Sequence, residues 1–171
     1  MKESIGSERW DAFFSAEVGA SAALAGLLFV GLSINIERIL AYPWLPRRAA
    51  EALTIVVAAL LQASVPLWPG QPPLFLGVEL FVVTLFETAV IGYFAIRDLE
   101  TRVDPSLELR YRKPALRNFM LFCSILVPGF IGSIIVARGS DFGLYWIATT
   151  IVLSFVYSIL SAWVLTVEIL R

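Results

Sequence analysis

Residues 81–96 read FVVTLFETAVIGYFAI, and Glu87 is the only charged residue among them. The segment is apolar enough for a bilayer, and the carboxyl sits near the middle of the longer run 74–96. Ionisable groups inside hydrocarbon are costly, so one that persists there is a functional-site candidate by default.

The apolar character extends in both directions. Of 171 residues, 58% are hydrophobic and 16% are charged. A globular domain averages about 45–50% apolar and about 25% charged residues. A soluble chain of this length could not hide the excess, which belongs in lipid. A membrane helix needs about 20 mostly apolar residues. Five stretches qualify, at roughly 14–36, 49–67, 74–96, 118–137 and 144–169. The expected fold is all-α, a single transmembrane domain over 1–171 with five membrane helices.

The separators fit this reading. AYPWLPRR at 41–48 and PLWPGQPP at 66–73 are rich in proline, which lacks an amide donor and clashes with the preceding turn. ARGSDFG at 137–143 reads as a tight turn. Residues 97–114, RDLETRVDPSLELRYRKP, are the only sizeable polar segment between spans. No small-residue cleavage site follows the first apolar run, so that span is expected to stay in place.

Basic residues orient the helices. Arg38, Arg47 and Arg48 lie between spans one and two. Arg97, Arg102, Arg110, Arg112, Lys113 and Arg117 lie between spans three and four, and Arg171 ends the chain. Five spans place all of these on one side, leaving Lys2, Arg9 and Arg138 on the other. The expectation is an N-terminus outside and a cytoplasmic C-terminus. Arg110, Arg112 and Lys113 are also suited to anionic lipid headgroups.

At about 100° per residue, Glu17, Ser21 and Asn35 share one side of span one. Gly19, Ala23, Gly26 and Ser33 lie roughly opposite, as a small face for helix packing. Glu79 and Glu87 are about 12 Å apart along span three, and Thr84 and Thr88 flank Glu87. Thr150, Ser154, Tyr157, Ser158, Ser161 and Glu168 form a stripe on span five. Such hydroxyls either bond their own helix or line a path. In span four, Pro128 should release the Ser124 carbonyl and kink the helix. Gly129 and Gly132 should admit a close neighbour. No Lys or Arg lies at the depth of Glu87. Its carboxyl must therefore be protonated, hydrogen-bonded, hydrated or neutralised by a cation.

Other chemistries find no support. The chain has no His and one Cys, Cys123, so no His-dependent nucleophile pair can form. No phosphate-cradling glycine motif is present. No enzyme activity, cofactor, metal site or nucleic-acid partner is expected.

Residues 10–35, WDAFFSAEVGASAALAGLLFVGLSIN, and the following YPWLPRRAAEAL resemble the start of a group of small bacterial membrane proteins. Some of these carry a label as modulators of the FtsH membrane protease. The resemblance covers about the first third of the chain and implies a bacterial inner-membrane protein with a regulatory role. It supplies no site residues.

Two functions follow as expectations. The first is a homo-oligomeric channel or small transporter for protons or cations. Its pathway would hold Glu87, Glu79, Glu17, Thr84, Thr88, Asn35, Ser154, Ser158 and Ser161. The alternative is a non-transporting accessory protein that binds another membrane protein.

Overall fold

The structure is a computed structural model describing residues 4–42, 45–100 and 108–170, with side chains described over 10–42, 45–94, 96–97 and 122–164. Among the described residues every regular element is helical: α1 (Ser4–Ile34), α2 (Ile36–Leu40), α3 (Leu45–Ser64), α4 (Pro73–Glu100), α5 (Glu108–Ala137) and α6 (Phe142–Leu170). A short 3-10 turn, Val65–Leu67, extends α3.

Among the described residues four stretches are long and apolar enough to cross a membrane: Trp10–Ile34, Leu45–Leu67, Pro73–Phe94 and Phe142–Val164. The expected span at 118–137 corresponds to a shorter apolar stretch, Phe122–Ala137, at the end of α5. Five full-length spans are therefore not seen among the described residues. On that helix the described side chains begin at Phe122, so the stretch is counted from there.

Chain punctuation explains the boundaries. Pro46 and Pro73 occupy first-turn positions, where a missing amide costs nothing because that donor has no helical partner. The α5–α6 turn is closed by Gly139 at φ +81°. Its amide donates to the Val136 carbonyl at 2.8 Å, and the Ser140 amide donates to Ile135 at 3.3 Å. These paired bonds satisfy the last carbonyls of α5 and need a left-handed residue, which glycine supplies without strain.

α3 packs against α1, α4 and α6, while α5 packs against α4 and α6. Helices α3 to α6 thus close a ring, and α1 lies mainly against the outside of α3. Small side chains make α3 suitable for this central place: Ala49, Ala52, Ala58, Ala59 and Ala63 are all buried. Large apolar groups point outward instead, including Leu27, Phe29, Phe86 and Trp163. Outward apolar faces on several helices fit a lipid surround.

The two ends of the ring differ. At one end the Arg47 guanidinium donates to the Arg97 carbonyl at 3.1 Å, joining the start of α3 to the last turns of α4. At the other end Trp10 meets Tyr145 edge-on, with ring centroids 4.8 Å apart, near the α5–α6 turn. These are called the basic end and the aromatic end.

Candidate functional site

The ring interior is built of layers. Toward the aromatic end, Ala59, Ala63, Val65, Leu80, Val136, Leu144, Ile147 and Ile151 form one apolar cluster, which Phe14 joins from α1. Leu80 lies one turn before Thr84 on α4, so this layer stands between Glu87 and the aromatic end.

Glu87 and Thr84 point inward from α4 and are wholly buried. Gln62 reaches them from α3 and is equally buried. Its Nε2 donates to Glu87 Oε2 at 3.3 Å and to Thr84 Oγ1 at 3.4 Å. Thr84 in turn donates to the Leu80 carbonyl at 2.9 Å. Four buried oxygens among the described residues are left without a partner, and two of them, Glu87 Oε1 and Gln62 Oε1, belong to this cluster. Buried polar atoms are nearly always hydrogen-bonded, so unpartnered oxygens on two hydrogen-bonded side chains set this cluster apart.

No basic side chain lies at the depth of Glu87. The chain has no Lys or Arg between Arg48 and Arg97, between Arg117 and Arg138, or between Arg138 and Arg171. Toward the basic end, Ile91 on α4 and Ile55 on α3 are buried. On α6 the buried hydroxyls of Ser154 and Ser158 share the interior with them, so the enclosing layer toward the aromatic end has no wholly apolar counterpart here.

The glycines of α5 shape this interior. A Cβ on Gly129 would meet Thr84 Cγ2 at 3.0 Å and Thr84 Oγ1 at 3.1 Å. A Cβ on Gly132 would meet the Gly143 carbonyl oxygen at 2.9 Å. These positions bring α4, α5 and α6 together where the sequence places small residues. Pro128 is buried, and α5 continues through it as one α-helix from Glu108 to Ala137.

The outer carboxylates lie apart from Glu87. Glu79 accepts a 2.6 Å hydrogen bond from Gln71 Nε2, in the connection before α4. Glu17 is half-buried on α1, outside the ring, while Ser21 turns back to the Glu17 carbonyl at 2.7 Å. Asn35 bonds the Gly31 carbonyl, four residues back, at 2.9 Å. Among the described residues Glu79 and Asn35 thus bond locally rather than to the Gln62–Thr84–Glu87 cluster.

The hydroxyl stripe of α6 divides between local helix bonds and bonds to α3, and Thr88 of α4 bonds its own helix. Thr150 donates to the Trp146 carbonyl, Ser154 to that of Thr150 and Thr88 to that of Thr84. Ser158 differs: its hydroxyl crosses to the Ala52 carbonyl of α3 at 3.4 Å. Ser161 is half-buried beside Tyr157. The small face of α1 is open, with no atom within 4 Å of a Cβ at Gly19 or Gly26. Ala23 is exposed on the same helix. The close packing expected at these three positions is not made within the described residues, because α1 turns its Ser21 and Leu28 face inward. The side chains of Arg110, Arg112, Lys113 and Glu168 lie outside the described residues.

Two residues of the interior escape a reading of the sequence. Gln62 is a neutral amide in an apolar run, and no charge anomaly draws attention to it. Glu51 follows Arg47 and Arg48 and reads as a juxtamembrane charge. In the fold it accepts a 2.8 Å hydrogen bond from the Tyr157 hydroxyl, tying α3 to α6. Tyr157→Phe should therefore lower stability by about 1.5–3 kcal/mol, the range for hydrogen bonds to charged groups. Thermal unfolding in detergent would check this, and an unchanged midpoint would deny the bond any structural weight.

No protein-family model matches the chain, and no curated protein or solved structure does either. The fold sets the class: a helical protein with, among the described residues, four apolar helices of membrane-spanning length.

Proposed function

We propose that this protein is a small transporter or channel that passes protons or cations across a membrane, with Glu87 as its central site. The observation that carries this reading is the wholly buried Glu87 carboxyl, one oxygen unpartnered, with no basic residue at its depth. Charge balance then calls for a proton or cation to accompany the carboxylate. The apolar layer around Leu80, Ile147 and Ile151 closes the ring toward the aromatic end, so passage requires it to open.

The same reading takes five spans, with the α5 segment as the fourth, the N-terminus outside and the C-terminus cytoplasmic. Its support is the basic-residue distribution, together with the meeting of Arg47 and Arg97 at one end. A bacterial inner membrane and a homo-oligomer belong to this reading. In the test, purified protein in liposomes dissipates an imposed proton or cation gradient faster than protein-free liposomes. Equal rates would reject transport.

One observation favours a second reading, an accessory protein bound to another membrane protein. The open face at Gly19, Ala23 and Gly26 leaves room for a foreign helix to approach closely. Residues 10–35 resemble a group of small bacterial membrane proteins, some of which are labelled as modulators of a membrane protease, and this points the same way. A single stoichiometric partner recovered from native membranes, with no flux in liposomes, would establish this reading instead.

A further inference from the structure

We propose that the species held at the centre of the ring is a single proton, shared between Glu87 and Gln62 as a reciprocal acid–amide pair. The inference rests on the reading of Glu87 as the central site and names what that site binds.

The argument is an accounting of donors and acceptors. A glutamine amide offers two N–H donors and one carbonyl acceptor, and a carboxylate offers acceptors only. Both Gln62 donors are used, one toward Glu87 Oε2 and one toward Thr84 Oγ1. The Thr84 hydroxyl proton is also used, on the Leu80 carbonyl. Every donor in the cluster is then committed, while Glu87 Oε1 and Gln62 Oε1 both lack a partner. Adding one proton to Glu87 Oε1 turns that oxygen into a donor. Donation to Gln62 Oε1 then resolves both orphans at once, antiparallel to the existing bond from Nε2 to Oε2.

A metal cation fits the cluster less well. Hard cations such as Ca²⁺ take about six to eight oxygen ligands, and the orphan oxygens here are two. The site is also tightly packed, since even a Cβ at Gly129 would press on Thr84 at 3.0 Å. A proton needs no extra volume.

The chemical step is simple. A hydronium ion gives its proton to Glu87 Oε1, one O–H bond forms, and water leaves; no electron is transferred. Loss of the proton leaves two acceptors facing each other, which removes one of the two bonds joining Glu87 to Gln62. Gln62 is a positioning residue in this scheme, and proton release is coupled to the α3–α4 contact.

Infrared spectroscopy of the purified protein in lipid nanodiscs tests the pair. The parent should show the carbonyl absorption of a hydrogen-bonded carboxylic acid at neutral pH. That band should vanish in Glu87→Gln and move to higher frequency in Gln62→Leu, where the acceptor is gone. Exchange of choline for sodium should leave it unchanged. Should Gln62→Leu not fold, solid-state NMR of the parent with isotope-labelled glutamine gives the same answer, since Gln62 and Gln71 are the only glutamines. A contact between the acid proton and the Gln62 amide carbonyl is then expected. An absent acid band, a band unmoved in Gln62→Leu, a missing contact, or a band abolished by sodium would each overturn the proposal. Liposomes without flux but with the acid band would remove transport and leave the pair; flux without the band would do the reverse.

Discussion

Gln62→Leu alone should destabilise the bundle by about 1–3 kcal/mol, the cost of leaving a buried polar group unsatisfied. The leucine fills similar volume, so the loss is chiefly polar. Glu87 loses the donor to its Oε2, and Thr84 loses its donor from α3. Adding Glu87→Leu to this variant should return most of the lost stability. Replacing both members of a buried polar pair with apolar groups of similar shape is often neutral or stabilising. The double variant would then be well folded and empty of its central carboxyl. This pattern separates a polar pair kept for function from one kept for stability. Unfolding midpoints of parent, single and double variants in one detergent decide it. A double variant less stable than Gln62→Leu would show that the pair holds the ring together.

Gly143→Val should weaken the α5–α6 contact by at least the roughly 1–3 kcal/mol typical of overpacking. A Cβ at this position would stand 2.6 Å from the Gly132 carbonyl oxygen and 2.7 Å from Val136 Cγ2. The first obstacle is backbone, which cannot rotate away as a side chain can. Relief requires the two helices to separate near their shared turn, and that separation would also loosen Gly129 from Thr84. Gly92→Ala is the matching control, because nothing lies within 4 Å of a Cβ there. Thermal unfolding should show a large drop for Gly143→Val and almost none for Gly92→Ala. Similar midpoints for the two would contradict the close helix contact.

Glu87, Gly129 and Gly132 show what a linear sequence reveals well. A charge in an apolar run and small residues in a membrane helix are visible without any tertiary information. Helix ends at Pro46, Pro73 and Gly139 are equally legible, because each residue acts on its own backbone. Gln62 shows the limit. Its importance comes from facing Glu87 across two helices, and nothing in the run AALLQASV at 58–65 announces that partner. Glu51 is obscured by its neighbours Arg47 and Arg48, although the fold turns it toward Tyr157. The placing of Glu17 on a helix beside the ring has a related cause. Helical spacing orders residues along one helix, but it cannot say that α1 lies outside the ring or that Leu80 belongs to a sealing layer. The hydroxyl stripe of α6 is visible in the spacing, yet Thr150 and Ser154 spend their protons on their own helix.

The central claim is that Glu87 carries the transported charge, and proton flux in liposomes containing equal amounts of parent protein or Glu87→Gln tests it most directly. Glutamine keeps the shape and hydrogen-bonding reach of the side chain while abolishing its titration, so folding should survive. The account predicts gradient dissipation by the parent and a fall to the protein-free rate in Glu87→Gln. Undiminished flux in that variant would contradict it.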